Sequence, residues 1–127
     1  MAKIIVVEDD PNLANLYSQK LEEGGHSVSI IADTEAVAKI QEQKPAIVLL
    51  DILMPNVNGL DILREIKSDP VTSGIPVLLL TNVAEDASIA KGLEFGAYGY
   101  LLKAETTPNQ ILARVNMTLE ETAGPVP

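Results

Sequence analysis

Short apolar runs alternate along this chain with longer segments in which apolar residues recur at helical spacing. Such alternation is typical of βαβ units, in which helices cover a parallel sheet. The pattern predicts five rounds of strand and helix. The predicted strands are residues 3–7, 27–31, 47–50, 77–80 and 98–102, and the predicted helices begin near residues 11, 33, 59, 85 and 107.

Residues at the start of two predicted helices support these boundaries. Asp10 stands before Pro11, and an acidic N-cap followed by proline at the first helical position is typical of a helix start. The last helix follows Thr107, whose hydroxyl, together with the side chain of Gln110, predicts a capping box.

The first, third and fourth predicted strands are nearly continuous apolar runs, so we expect central strands covered by helices on both faces. Right-handed crossovers then leave few arrangements. The order 2-1-3-4-5 fits best and predicts a flavodoxin-like α/β fold, a doubly wound parallel sheet of five strands with five helices. Residues 1–122 are assigned to one domain, and residues 123–127 to a tail or the start of a linker.

The composition excludes several classes of function. With 127 residues and a net charge of -9, the chain is a small acidic domain whose field disfavours direct nucleic-acid binding. The absence of cysteine excludes disulfides and thiolate metal sites. The apolar runs are too short to span a bilayer and the chain has no signal-peptide pattern, so we expect a cytoplasmic protein without a membrane partner.

Four of the predicted strands end at a chemically useful polar residue. In an open α/β sheet the carboxyl ends of the strands lie on one rim, which is where ligands bind. The rim residues are Glu8, Asp9 and Asp10 after the first strand, Asp51 after the third, Thr81 after the fourth and Lys103 after the fifth. By itself the acidic triplet is most simply a solvated turn that caps a helix.

The addition of Asp51 changes the interpretation of the acidic triplet. Two carboxylates about 4 Å apart repel by on the order of 4 kcal/mol at an effective dielectric near 20, so several of them on one rim need a cation or a proton. Mg²⁺ suits such a site because it binds one or two carboxylates and leaves positions for a phosphate. Zinc does not, since His26 is the only histidine. A phosphoryl group on Asp51 would need a second positive partner and a hydroxyl donor, and Lys103 and Thr81 lie where such partners are expected.

Four motifs, in this order and at this spacing, resemble the receiver domain of bacterial response regulators. They are Val7-Glu8-Asp9-Asp10, then Asp51-Ile52-Leu53-Met54-Pro55 with Gly59 beyond it, then Leu80-Thr81, and finally Tyr100-Leu101-Leu102-Lys103. The resemblance covers nearly the whole chain. It implies a phosphoacceptor in a two-component histidine-aspartate phosphorelay, with self-phosphorylation and slow self-dephosphorylation as its only reactions.

The resemblance also implies roles at the phosphoryl site. Asp51 would be the phosphorylation site, taking its phosphoryl group from a sensor histidine kinase or a histidine phosphotransfer protein. The expected cofactor is Mg²⁺, with Asp9 as a direct ligand, Glu8 as a ligand through water, and further oxygens from Asp51 and the backbone carbonyl of Leu53.

Thr81 and Lys103 would complete the catalytic set by contacting phosphoryl oxygens. Thr81 and Tyr100 would then form the switch, which alters a surface on the fourth helix, fifth strand and fifth helix. The partner at that surface would be a downstream effector protein or a lost effector domain. Ala97-Tyr98-Gly99-Tyr100 lacks the Asp pair of receivers that dimerise through this surface, which argues against that dimer.

The chain departs from the family pattern in two places. Ala104 follows Lys103 where most receivers have proline, so we expect a trans peptide there, since a non-proline cis bond costs about 3 kcal/mol. Leu53 and Val83 are apolar at positions that the family associates with hydrolysis of the acyl phosphate. Neither side chain can orient a water by hydrogen bonding, so we expect a long-lived phosphorylated state.

Three other functions remain as alternatives. A haloacid-dehalogenase-like phosphohydrolase would also use an Asp nucleophile after a strand, but it needs a second Asp where this chain has Leu53. A dinucleotide-binding domain fails because it would need a G-x-G-x-x-G motif after the first strand, and this chain has none there. A pseudo-receiver that binds partners without phosphorylation would not need the full set of acids, Thr and Lys.

Overall fold

The computed structural model describes residues 2–82 and 86–123, apart from the side chain of Asp86. Its strands are β1 (Lys3–Val7), β2 (Ser27–Ile30), β3 (Ile47–Asp51), β4 (Val77–Thr81) and β5 (Gly99–Leu102). Its helices are α1 (Pro11–Glu23), α2 (Ala36–Gln43), α3 (Gly59–Ser68), α4 (Asp86–Glu94) and α5 (Pro108–Thr122), with 3₁₀ turns at Asp33–Glu35 and Lys103–Glu105. The predicted start of the fourth helix at Glu85, the position of Val83 and residues 124–127 lie outside the described residues.

The five strands form one parallel sheet in the order β2-β1-β3-β4-β5. This confirms the predicted flavodoxin-like topology. The register aligns the ends of the strands: Val7 lies opposite Leu50, Asp51 opposite Leu80, and Thr81 opposite Leu102. The polar residues that end these strands therefore lie on one rim.

Alternate residues of the strands pack into two separate hydrophobic cores. On one face, Val48 and Leu50 pack with Leu63 of α3 and Ile40 of α2. On the other, strand residues pack against α1 and α5, and the members of that core include Ile4, Leu49, Tyr17, Leu21, Ile111 and Val115. Every residue of β3 and β4 is buried, which confirms that apolar residues on both faces mark central strands.

The helix ends show where local signals were sufficient and where they were not. Asp10 caps α1, and Thr107 forms the predicted capping box with Gln110. The cap of α3 is Asn58, whose side-chain oxygen accepts from the Leu60 amide at 2.9 Å.

Within the described residues, no helix is both long and apolar enough to cross a membrane.

Candidate functional site

Three carboxylates meet on the rim between β1 and β3. Glu8 and Asp9 follow β1, and Asp51 is the last residue of β3. Each offers an oxygen, and these three oxygens lie within 4.8 Å of one another. Asp10 plays a different part, because its carboxylate accepts from backbone amides at the start of α1.

Two of the three carboxylates are removed from solvent. Glu8 is 5% exposed and Asp51 is 2% exposed, whereas Asp9 is exposed. The Lys103 ammonium, on a side chain that is 6% exposed, lies 2.5 Å from Glu8 Oε1 and 3.1 Å from Asp51 Oδ2. Buried charges are expensive unless they are paired, so Lys103 is a structural as well as a chemical part of the site.

The electrostatics distinguish Asp51 from its neighbours. Burial, a hydrogen bond with Asp9 and the charge of Glu8 raise the pKa of Asp51 to about 7, although Lys103 acts in the opposite direction. Burial alone would raise the pKa of Asp9, but its hydrogen bonds with Asp51 and Glu8 outweigh this and lower that pKa. Burial lowers the pKa of Lys103, and the interactions with Glu8 and Asp51 outweigh it and raise that pKa. These effects disfavour the ionised form of Asp51 more than that of its neighbours.

Backbone groups orient the buried carboxylates. The Leu53 amide donates to Asp51 Oδ1 at 3.2 Å, and the Asp10 amide donates to Glu8 Oε2 at 3.1 Å. Gly59 begins α3 directly against β3, and a β-carbon there would overlap the Asp51 carbonyl oxygen and lie 2.8 Å from the Ile52 Cα. Glycine at this position therefore lets α3 start against the backbone of Asp51.

The remaining predicted site residues lie along the same rim or beside it. Thr81 ends β4 and is 4% exposed, one residue beyond the partner of Asp51 in the sheet. Leu53 is 55% exposed on the loop after β3. Tyr100 of β5 is 40% exposed, with its side chain at the surface. No cis peptide bond occurs in the described residues, so the Lys103–Ala104 peptide is trans, as expected.

Sequence reasoning missed one interaction at the site, the ion pair between Lys103 and Glu8. The resemblance implies Lys103 as a partner of a phosphoryl group and Glu8 as a metal ligand through water. The structure brings the two side chains into direct contact. Their positions 95 residues apart give no local signal of that contact, since it depends on the reach of a lysine side chain across two intervening strands.

The donor set of the acidic cluster suits a hard divalent cation. Glu8, Asp9 and Asp51 each supply a carboxylate oxygen, and these oxygens lie within 4.8 Å of one another at the ends of two adjacent strands. Mg²⁺ and Ca²⁺ prefer oxygen ligands, and Mg²⁺ accepts a site that supplies only one or two carboxylates directly. The residues present therefore fit Mg²⁺.

A flavodoxin-like sheet with a carboxylate cluster at its switch point and a buried lysine beside it defines a class of α/β domains that bind ligands on this rim. Residues 4–116 match the model of the response regulator receiver domain. The chain therefore belongs to the response regulator receiver domain family, a family of signalling proteins. The match confirms the resemblance to response regulator receiver domains that the sequence motifs indicated. It does not favour the phosphohydrolase or the pseudo-receiver alternative.

Curated relatives include two DNA-binding or transcriptional regulators. The DNA-binding response regulator MtrA of Mycolicibacterium smegmatis is 36% identical over 118 residues, which cover 92% of this chain and 50% of that protein. The phosphate regulon transcriptional regulatory protein PhoB of Rhizobium meliloti is 35% identical over 120 residues, which cover 94% of this chain and 52% of that protein. The chain thus spans about half the length of these relatives.

Solved structures show the same fold. The CheY-like response regulator receiver domain protein of Methanospirillum hungatei superposes with a TM-score of 0.88 at 26% identity, covering 97% of both chains. The chemotaxis response regulator CheY4 of Vibrio cholerae gives a TM-score of 0.85 at 27% identity, covering 92% of this chain and 98% of that one.

Proposed function

We propose that Asp51 accepts a phosphoryl group from a phosphohistidine of a sensor histidine kinase or a histidine phosphotransfer protein, in the presence of Mg²⁺. The observation that supports this most directly is the convergence of a buried Asp51 carboxylate, a lysine at 3.1 Å and two further acids on one rim. The proposed domain is residues 1–122, and residues 123–127 would be a tail or the start of a linker.

The transfer would be a single displacement at phosphorus. One carboxylate oxygen of Asp51 forms an O–P bond while the P–N bond to the donor imidazole breaks. The electron pair of the broken bond stays with the imidazole nitrogen, which takes up a proton from solvent. The product is an acyl phosphate on Asp51, and the free energy of the donor's phosphoramidate bond drives its formation.

The acid cluster would supply the metal ligands. In this proposal Asp9, Asp51 and the backbone carbonyl of Leu53 contribute oxygens directly, and Glu8 acts through water. Pairing of Glu8 with Lys103 supports that indirect role, because one Glu8 oxygen is already committed to the ammonium. When bound, Mg²⁺ would neutralise charge on the transferring group and on the carboxylates around it.

Two further residues would hold the phosphoryl group and report its presence. Lys103 would exchange part of its contact with Asp51 for a phosphoryl oxygen, and Thr81 would donate its hydroxyl to another. Thr81 and Tyr100 form the proposed switch. To convert a 1:99 mixture of inactive and active states into 99:1, phosphorylation must favour the active state by about 5.5 kcal/mol.

The output surface would be the face formed by α4, β5 and α5. These elements and the residue before β5 carry large apolar residues that are each 40–45% accessible: Leu93, Tyr98, Tyr100 and Met117. A downstream effector protein, or an effector domain such as those of the DNA-binding relatives, would respond to this face. The acidic domain itself would not contact nucleic acid or a membrane, and the resemblance implies a cytoplasmic location.

Incubation with Mg²⁺ and acetyl phosphate or phosphoramidate, followed by intact-mass analysis, tests the proposal. We expect the wild type to gain the mass of one phosphoryl group, and Asp51→Asn to gain none. Asp61→Asn, which removes an exposed acid from α3, is the matched control and should be labelled normally. Labelling of Asp51→Asn at the wild-type rate, or labelling that persists in excess EDTA, would contradict the proposal.

A further inference from the structure

A cavity opens next to the acid cluster, on the side of β2. Its volume is about 370 Å³, and it is lined by the loops after β1, β2 and β3 and by the start of α1. Much of its wall is apolar. The apolar lining residues are Pro11, Ala14, Ile30, Ile31, Ala32 and Pro55.

The polar part of the cavity has a single sign of charge. Glu8 and Asp9 line the side shared with the acid cluster, and Asp33, in the 3₁₀ turn after β2, also lines the cavity. None of the described residues that line it is Lys, Arg or His. The uncharged polar lining residues are the amides Asn15 and Asn56. An anion would therefore meet repulsion, while a cation would be attracted from the bulk by a chain of net charge -9.

We propose that this cavity binds a small organic cation, an ammonium or guanidinium group on a compact apolar body. Small-molecule sites are typically concave, mainly apolar and about 300–1,000 Å³ in volume, with a few polar groups that fix the orientation. The apolar wall would cover the body of the ligand, and the cationic group would face Asp33 and Asp9. A bare metal ion would make no contact with the apolar wall, and a neutral ligand would have no electrostatic attraction to the acids.

The proposal has a consequence for the metal site, and this part rests on the proposed function. Asp9 belongs both to the cavity and to the proposed Mg²⁺ ligands, so an ammonium beside it reduces the negative charge available to the metal. The coupling is reciprocal: if the amine weakens Mg²⁺ binding by some factor, Mg²⁺ weakens amine binding by the same factor. An organic amine would in this way lower phosphorylation at limiting Mg²⁺.

Benzylamine and the uncharged benzyl alcohol are matched probes, because they share a ring and differ in charge at neutral pH. Each would be titrated into the metal-free ¹⁵N-labelled protein while amide chemical shifts are followed. We expect saturable shifts for Ile31, Ala32, Asp33 and Asn56 with benzylamine, and clearly weaker binding of the alcohol. Equal affinities for the two probes, or no shifts at these amides, would overturn the proposal.

Two variants outside the metal site test the location of the amine. Asp33→Asn removes the negative charge but keeps an oxygen that can accept the hydrogen bond that the Thr34 amide donates to Asp33 Oδ1 at 2.7 Å. It should weaken benzylamine binding by about twofold to fivefold. Ala32→Leu fills the cavity from an exposed, extended position and should weaken both probes. Asp61→Asn carries the same change of charge on α3 and should leave the affinity unchanged. Wild-type affinity in both cavity variants would refute the site.

A Mg²⁺ titration in the absence of amine measures the metal site independently. If Mg²⁺ binds and its affinity falls when benzylamine is added, both the cavity and the coupling are supported. If Mg²⁺ binds with the same affinity at every benzylamine concentration, the coupling is wrong. If Mg²⁺ fails to bind while benzylamine does, the proposed function fails and the cation site stands.

Discussion

Removing the charge of Asp51 is expected to stabilise the metal-free domain above neutral pH. Asp51 is 2% exposed and one of its oxygens lies within 4.8 Å of an oxygen of Glu8 and of Asp9, so its ionised form is disfavoured in the folded state. Asparagine retains an oxygen for the Leu53 amide, but its NH2 group replaces the carboxylate oxygen that faces Lys103, so the contact with that ammonium is lost. Lys103 keeps its contact with Glu8.

The magnitude follows from the pKa of Asp51, about 7 in the folded domain against an ordinary value of 3.8. Below pH 3.8 the group is protonated in both states. Between pH 3.8 and 7 the folded state holds a proton that the unfolded state has lost, so stability falls as pH rises and then levels off above 7. At 1.36 kcal/mol per pH unit, the loss from pH 5 to pH 8 is at most about 3 kcal/mol, and loss of the Lys103–Asp51 contact in the variant offsets part of the gain.

Urea unfolding of the wild type and Asp51→Asn in EDTA, at pH 5 and pH 8, measures this difference. We expect Asp51→Asn to be more stable than the wild type by about 1–3 kcal/mol at pH 8, with a smaller difference at pH 5. Asp61→Asn, which removes an exposed acid, should show no such change between the two pH values. The reasoning is refuted if the stability difference between Asp51→Asn and wild type is the same at both pH values, or if the variant is the less stable protein at pH 8.

Three further outcomes are expected. Gly59→Ala should lower the free energy of unfolding, measured in urea, by about 1–3 kcal/mol because the new β-carbon would overlap the Asp51 backbone. Gly74→Ala is the control and should cause no such loss, because the space around its β-carbon is open. Lys103→Met should lower the free energy of unfolding at pH 8 by about 3 kcal/mol, because it leaves buried carboxylates unpaired. Lys39→Met, which breaks an exposed ion pair, should lower it by less than about 1 kcal/mol in the same urea unfolding experiment. The phosphorylated domain should decay slowly in Mg²⁺, followed by intact mass over time, because Leu53 cannot orient a water; a lifetime of seconds would contradict this.

The fold could be predicted from the sequence because its signals are local and agree with one another. Apolar runs of four or five residues mark the buried strands, and the rule of right-handed crossovers leaves few orders for them. Capping residues such as Asp10 and Thr107 then locate two helix starts to the residue. The C-cap of α2 is less predictable, because Lys44 has a φ of 47° and lysine seldom adopts this left-handed conformation.

Contacts between residues far apart in the chain were less accessible. The contacts of His26, which sequence reasoning considered as a possible zinc ligand, are one example. In the structure its Nδ1 accepts from the Ala2 amide at 3.1 Å and its Nε2 lies 2.7 Å from Asn116 Oδ1, so it joins the chain start to α5. The same holds for Lys103 and Glu8: which residues share a rim follows from strand order, but which side chains touch depends on their reach and rotamer.

One consequence concerns how a chemical event at Asp51 reaches the far side of the sheet. The Lys103 side chain begins just after β5 and ends between Glu8, which follows β1, and Asp51, the last residue of β3, although β4 lies between β5 and β3 in the sheet. Its ion pairs therefore connect the segment after β5 to the middle of the rim. A change of charge at Asp51 alters the electrostatic attraction on the Lys103 ammonium, and the side chain carries that change to the segment after β5.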